Sequence, residues 1–265
     1  MTRCSSCEPF VKRGKNDRND AEAICEAASR PCMRSVPVKS AESQAEAMDL
    51  SARGLLVRQR TQLVNAVRGH AVEFGVIAAR GIAQLEPLLA KIAEANLPQA
   101  AKETLAHLGR CIEQLDAQLA GLDRRLATRH KANPVSQRLA AVPGVGPLTA
   151  LTMAMTVDAR QFESGRHFAA WLGLTPRERS TGGRQRLGGI SRAGHERLRQ
   201  LLVVGAMAVI RHAKPTRQAA SPWLLGLKER RPRKLVAVAL ANKMARTLWA
   251  MMANGTAYRR SPQAV

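Results

Sequence analysis

The sequence predicts a mainly α-helical protein: long antiparallel helices with a coiled-coil segment, then a helical, helix-hairpin-helix-like C-terminal domain. Three observations carry this reading. Leu105, Leu108, Ile112, Leu115, Leu119, Leu122 and Leu126 recur at alternating gaps of three and four, the mark of a coiled-coil seam. From about Ser40 to Ala95 the chain is rich in Ala, Leu, Gln, Arg and Glu and poor in breakers, which favours long helices and no sheet. After Asn133 and Pro134, which end the seam helix, Gly and Pro become frequent and Arg replaces most Lys, so a further domain begins there.

Bulk properties bound the partner. At 265 residues and 45% hydrophobic, the chain can bury a sizeable core. Lys and Arg number 42 against 20 Asp and Glu, a net charge of +22 spread along the chain, which calls for a polyanionic partner. The longest apolar run, Leu201–Ile210, is about half of the roughly 20 residues that a membrane span requires, so nucleic acid is the better match. The N-terminus shows no apolar signal segment, and the expected location is the cytoplasm. The five cysteines are scattered and read as free thiols. Cys4 and Cys7 form one C-x-x-C without the second pair that a four-ligand zinc site needs.

Along the chain, Pro9, Gly14, Pro31 and Pro37 surround one helical stretch from about Asp17 to Ala28, and Arg34–Lys39 reads as a short strand. The leucine seam has two readings, antiparallel pairing with the preceding long helix or a dimer seam between copies. The domains expected are 1–44, 45–133 and 134–265.

Several residues could carry chemistry. Asp17 and Asp20, spaced i, i+3 at a helix start, put two carboxylates on one face. They either hold a divalent cation or serve the helix N-terminus as caps. In Val142–Ala150, Gly144 and Gly146 form a helix-hairpin-helix-like loop whose amides can approach a phosphate, although a plain interhelical turn uses the same glycines. Between Pro176 and Arg199 lie seven arginines (Arg177, Arg179, Arg184, Arg186, Arg192, Arg197, Arg199) against Glu178 and Glu196, with four glycines between Thr181 and Ile190. Guanidinium groups hold phosphates bidentately, which suits a scissile phosphate. Ser180 and Ser191 stand among these cations as candidate nucleophiles. Ser191 also reads as the N-cap of the next helix, so Ser180 is preferred; His195 reads as a base or as an ordinary polar residue. Lys228, Arg230, Arg231, Arg233 and Lys234 form a contact strip for nucleic acid before an amphipathic helix running to about Met252.

Taken together, PFVKRGKNDRNDAEAICEAASRP, AVPGVGPLTALTMA, FAAWLGLTPRERSTGGRQRLGGISRAGHERLRQLL and LVAVALANKMARTLWA resemble, in order, the insertion-sequence one-ten family of transposases. The resemblance implies a RuvC-like N-terminal domain of the RNase H kind with four acids binding Mg2+, a coiled-coil insertion, and a C-terminal domain with a nucleophilic serine. Asp17 and Asp20 match the third and fourth acids, Ser180 the serine, and Ile190–Gly194 the segment after it. DNA, a guide RNA encoded by the element, and a homo-oligomer (dimer or tetramer) formed through the coiled coil are the implied partners. By analogy the serine attacks a phosphodiester and a strand is exchanged.

The front of the chain departs from that pattern. Only 14 residues precede Lys15, with one acid, Glu8, and no visible strand. Half of the metal cluster is therefore missing, the α/β domain is expected as a remnant, and a shortened copy of this kind is expected to be inactive or impaired. The alternative function is a non-catalytic DNA- or RNA-binding remnant; a junction nuclease using metal and water is a weaker third reading.

Overall fold

The computed structural model describes residues 10, 16–31, 38, 40–79, 81–213 and 221–259. Apart from Val38, the strand expected over Arg34–Lys39 lies outside these residues, as do Cys4, Cys7 and Glu8. The chain divides into two compact units, Met1–Ala41 and Glu42–Val265.

In the first unit, α1 (Asp17–Ser29) starts where the sequence places it. Asn16 is extended, and its side chain accepts the Asn19 N–H at 2.7 Å. The N-cap is thus Asn16, and Asp17 and Asp20 occupy the first turn, where negative charge complements the helix dipole.

The second unit begins with α2 (Ala41–Glu73), a 3-10 turn (Ile82–Gln84), α3 (Leu85–Glu94) and α4 (Gln99–Ala132). The breaker-poor stretch is therefore interrupted. The N–H groups of Gly75 and Val76 return to the carbonyls of Val72 and Ala71, each at 2.9 Å, and close α2. Along the seam, Leu105 and Ile112 pack with Val64, Val67 and Ala71 of α2 and with Leu85, Leu88 and Ile92 of α3. Towards the other end Leu126 meets Leu50. These side chains are covered by the same chain, so antiparallel pairing within one molecule is the reading that the structure adopts. Leu108 and Leu115 of the seam stay half-buried.

Charge fixes the register of α2 on α4. Arg53 pairs with Asp123, Arg60 with Asp116 at 2.7 Å, and Asp49 with Arg125 and Arg129 at 3.1 and 2.8 Å. Partner numbers fall on α4 as they rise on α2, which defines the antiparallel arrangement. The hydrogen bond from Arg125, together with the charges of both arginines, holds the Asp49 carboxyl below its usual range against the opposing effect of burial.

The remaining elements are α5 (Pro134–Leu139), α6 (Pro147–Thr156), α7 (Gly165–Trp171), β1 (Pro176–Glu178), β2 (Leu187–Ile190), α8 (Glu196–His212), α9 (Pro222–Arg230) and α10 (Arg233–Ala253). Asn133 separates α4 from α5, its side chain accepting the Ser136 N–H at 2.8 Å with Pro134 at the first helical position. Leu139, Met153, Phe168, Leu172, Leu198, Leu202 and Leu248 are fully buried in one core built by α5 to α8 and α10. Leu151 of α6 joins Leu50 and Leu126, so the long helices and the C-terminal helices pack together at this point.

Gly144 and Gly205 set the closest approach in this core. A Cβ on Gly205 would collide with the Gly144 carbonyl oxygen, and one on Gly144 (φ 85°) would lie 2.7 Å from Val209 Cγ2 and 2.9 Å from the Gly205 carbonyl oxygen. The mainly helical expectation is met, with one departure, the two-stranded hairpin β1–β2. No helix among the described residues is long and apolar enough to cross a membrane.

Two outcomes are expected. Asp49→Asn lowers stability by about 1 kcal/mol at neutral pH. Since the folded carboxyl titrates below its unfolded value, this contribution is complete above the unfolded pKa and fades as pH falls through the folded one. Urea melts of the two proteins should therefore converge in acid, below about pH 4. Gly205→Ala costs about 2 kcal/mol or more through overpacking, and an unchanged urea midpoint would rule out the close approach.

Candidate functional site

The hairpin is built locally. Pro176 stands opposite Ile190 and Glu178 opposite Leu187 in an antiparallel pair. At its tip Thr181 bridges Arg184, and Gly182 and Gly183 take φ of 56° and 72°. Both central residues of the turn sit in the left-handed region, as a two-residue type I′ connection demands, and only glycine does so without strain. Extended backbone sends residues two apart to the same side, and Glu178 and Ser180 meet there. Ser180 Oγ donates to Glu178 Oε1 at 2.8 Å and accepts the Arg186 backbone N–H at 3.1 Å. The hydroxyl is exposed on a cationic surface rather than packed in the core.

Beside it Arg177, Arg179, Arg186 and Arg192 line an open cleft of about 570 Å³ with Leu187 and the Gly188–Gly189 backbone. Arg184 is exposed at the tip. Among the described residues none of these five arginines is ion-paired; Arg177 spans the base of the hairpin, donating from Nε and Nη2 to the Ser191 carbonyl at 3.2 and 3.0 Å. Arg192 holds a φ of 58°, a region costly for a side-chain-bearing residue, with its N–H on the Gly173 carbonyl at 3.2 Å.

Two of the seven arginines are engaged elsewhere. Arg199 is 8% exposed, and its guanidinium donates to the carbonyls of Leu172 and Ala193 at 3.0 and 2.6 Å. It ties the segment after α7 to the loop before α8 and presents nothing to a ligand. Arg197 leaves the hairpin for the α2 side, where a Cβ on Gly54 would collide with its guanidinium.

Ser191 does not cap α8. The N-cap is His195, whose Nδ1 accepts the Leu198 N–H at 3.2 Å, so that nitrogen is engaged and does not serve as a base. Ser191 Oγ receives only a long contact from the Ala193 N–H at 3.5 Å. The capping argument for setting Ser191 aside therefore fails, and what distinguishes Ser180 is the carboxylate that accepts its hydrogen bond. Sequence reasoning counted Glu178 only as a charge among arginines; the signal that could have found its contact with Ser180 is their i, i+2 spacing in extended chain.

In the glycine loop Gly144 serves the contact with α8, which narrows the phosphate-contact reading to Gly146. That residue is exposed at the start of α6, which has Pro147 first and no side-chain cap. Arg211, Lys228, Arg231 and Arg233 surround a second cationic cleft of about 290 Å³ floored by Ile210 and Val236. Lys228 Nζ is held by the Ala213 carbonyl at 2.8 Å, while Lys234 is exposed. The carboxylates of Asp17 and Asp20 have no hydrogen-bond or ion-pair partner among the described residues, and no group of three or more His, Cys, Asp or Glu forms there. Two carboxylates on one helical turn are hard oxygen donors of the kind Mg2+ takes, with water or phosphate oxygens needed to complete its six positions.

The family described as Transposase IS116/IS110/IS902 matches residues 136–221. The chain is 51% identical to the Sinorhizobium fredii protein y4pF/y4sB, named a transposase, over 96% of this chain and 66% of that protein. It is 51% identical to a Pseudomonas aeruginosa protein named as a family 20 transposase, over 95% of this chain and 76% of that one. It is 41% identical to the transposase for insertion sequence element IS1111A of Coxiella burnetii, over 95% of this chain and 70% of that protein. The chain belongs to the IS116/IS110/IS902 transposase family. It spans about two thirds to three quarters of the length of these relatives. The segment matched to the IS116/IS110/IS902 family holds the glycine loop, the serine hairpin and α8, whereas the second cationic cleft is completed by residues beyond it.

Arg199→Met should lower stability by about 2–3 kcal/mol, since buried carbonyls lose their donor. Arg186→Ala should stay within about 0.5 kcal/mol of the parent and weaken DNA binding in fluorescence anisotropy. The reverse ranking of the two variants would contradict a buried tie at Arg199 and a ligand-facing cation at Arg186.

Proposed function

We propose that this chain acts in the movement of an insertion sequence, binding DNA and cleaving and exchanging strands with Ser180 as nucleophile. The observation that carries the reading is the Ser180–Glu178 hydrogen bond on an exposed, arginine-lined hairpin. Glu178 takes the hydroxyl proton, Oγ attacks phosphorus, and the P–O bond to the leaving deoxyribose oxygen breaks, with that oxygen taking up a proton. Arg179, Arg186 and Arg192 hold the non-bridging oxygens as charge builds on them. The product is a phosphodiester between protein and DNA, which a second strand end reopens by the reverse steps.

Asp17 and Asp20 would contribute two oxygens to a magnesium ion, and such an ion would supply charge neutralisation at the phosphate. No step of the reaction runs through it. The carboxylate pair at the start of α1 supports reading residues 1–44 as part of a RuvC-like domain, and the uncapped start of α6 supports a helix-hairpin-helix-like contact at Gly146. Family membership supports a guide RNA and a second copy of the chain as further partners. The second reading, a binding protein without catalysis, is supported by the net charge of +22 and by the arginines that line the cleft.

The test traps a covalent protein–DNA adduct with labelled, nicked substrate. The expected result is an adduct that survives denaturation, disappears in Ser180→Ala, persists in Ser191→Ala, and forms about a hundredfold or more slowly in Glu178→Gln. An adduct lost only in Ser191→Ala moves the nucleophile. Salt-sensitive DNA binding with no adduct in the parent protein favours the second reading.

A further inference from the structure

We propose that Arg58 and Arg197, with Arg53 beside them, form a phosphodiester-binding site between the long-helix hairpin and α8, made of residues other than those lining the serine hairpin. The inference deepens the nucleic-acid reading above and rests on it.

Gly54 lies one helical turn beyond Leu50, whose side chain is buried against Leu126 and Leu151. That face of α2 therefore looks towards the C-terminal helices. A glycine inside a helix costs about 1 kcal/mol relative to alanine. Here the missing side chain leaves room for a cation: the Arg197 guanidinium occupies the place a Gly54 Cβ would take, and Arg58 Nη1 lies 3.9 Å from that place. The two guanidinium groups thus gather over one residue.

Nothing in the described residues balances them. Arg197 Nε is buried without a hydrogen-bond partner, and neither the Arg58 nor the Arg197 side chain has an ion pair or hydrogen bond among the described residues. Arg53 is committed to Asp123. Burial, with the positive charges of Arg53 and Arg58, depresses the Arg197 pKa from its usual value. Two arginines brought together, one half-buried, are unfavourable in the free protein and are relieved by an anion that accepts from both. A phosphodiester supplies that charge with two acceptor oxygens in a plane matching the guanidinium fork. The chain's +22 charge makes a nucleic-acid backbone the source.

A structural role and a ligand role make opposite predictions for Arg197→Met, which keeps the aliphatic bulk and removes the charge. If the guanidinium serves folding, stability falls; if it is held for a ligand, stability stays level or rises while binding weakens. The experiment measures urea melts and fluorescence anisotropy of the full chain with a labelled mixed-sequence DNA duplex and with an RNA strand of equal length. Parent, Arg58→Gln, Arg197→Met and the double variant are compared over a range of salt.

The expected result is undiminished stability in Arg197→Met, roughly tenfold weaker binding in the double variant, and a salt slope shallower for each phosphate no longer neutralised by about 0.9 with the duplex or about 0.7 with the RNA strand. Weakening confined to the DNA arm or to the RNA arm identifies which backbone the site holds. Parent-like affinity and slope in the double variant with both probes overturn this site alone. So does a fall in the stability of Arg197→Met with binding intact. A parent protein that binds neither probe overturns the nucleic-acid reading together with the site.

Discussion

With 20 carboxylates for 42 lysines and arginines, where the acids go decides what the basic groups can do. Asp49, Asp116 and Asp123 are engaged between α2 and α4. Each exposed pair is worth little alone, but together they set one register for two helices whose leucines would tolerate neighbouring ones. Elsewhere the carboxylates are too few to neutralise the arginines, and the hairpin's five stay without ion pairs among the described residues. Cations left unpaired near an open cleft keep their charge for a ligand.

The C-terminal core converts this surplus into positioned groups. Gly144 against Gly205 brings the glycine loop onto α8, and Arg199 ties the chain before β1 to the loop before α8 through two carbonyls. The hairpin between these anchors is short and exposed, so its shape comes from the turn, the strand ladder and the Arg177–Ser191 tie. In the proposed reaction such a hairpin would let the substrate supply contacts at the tip while the anchored base fixes the approach of the hydroxyl.

Family membership and geometry bear on different parts of the functional picture. The relatives establish the lineage across most of the chain. The structure adds a carboxylate on the serine hydroxyl and separates the arginines into those that hold backbone, those that line a cleft and those gathered over Gly54. Arginines that look equivalent in a string of letters thus differ in what they are free to do.

Much of the fold was legible in the sequence because it depends on local rules. The seam leucines, the Asn133–Pro134 break, the start of α1 and the extent of α10 follow from periodicity and capping, which neighbours along the chain decide. The concentration of charge around Ser180 was equally plain, since arginine is basic in any setting. Tertiary structure alone decided what covers the seam, that His195 rather than Ser191 caps α8, that Arg199 turns inward, and that Gly54 and Arg197 meet across more than a hundred positions. Each of these depends on which backbone amide, carbonyl or bare glycine lies within a few ångströms after folding, and such distances between remote segments are set by packing, not by the order of residues.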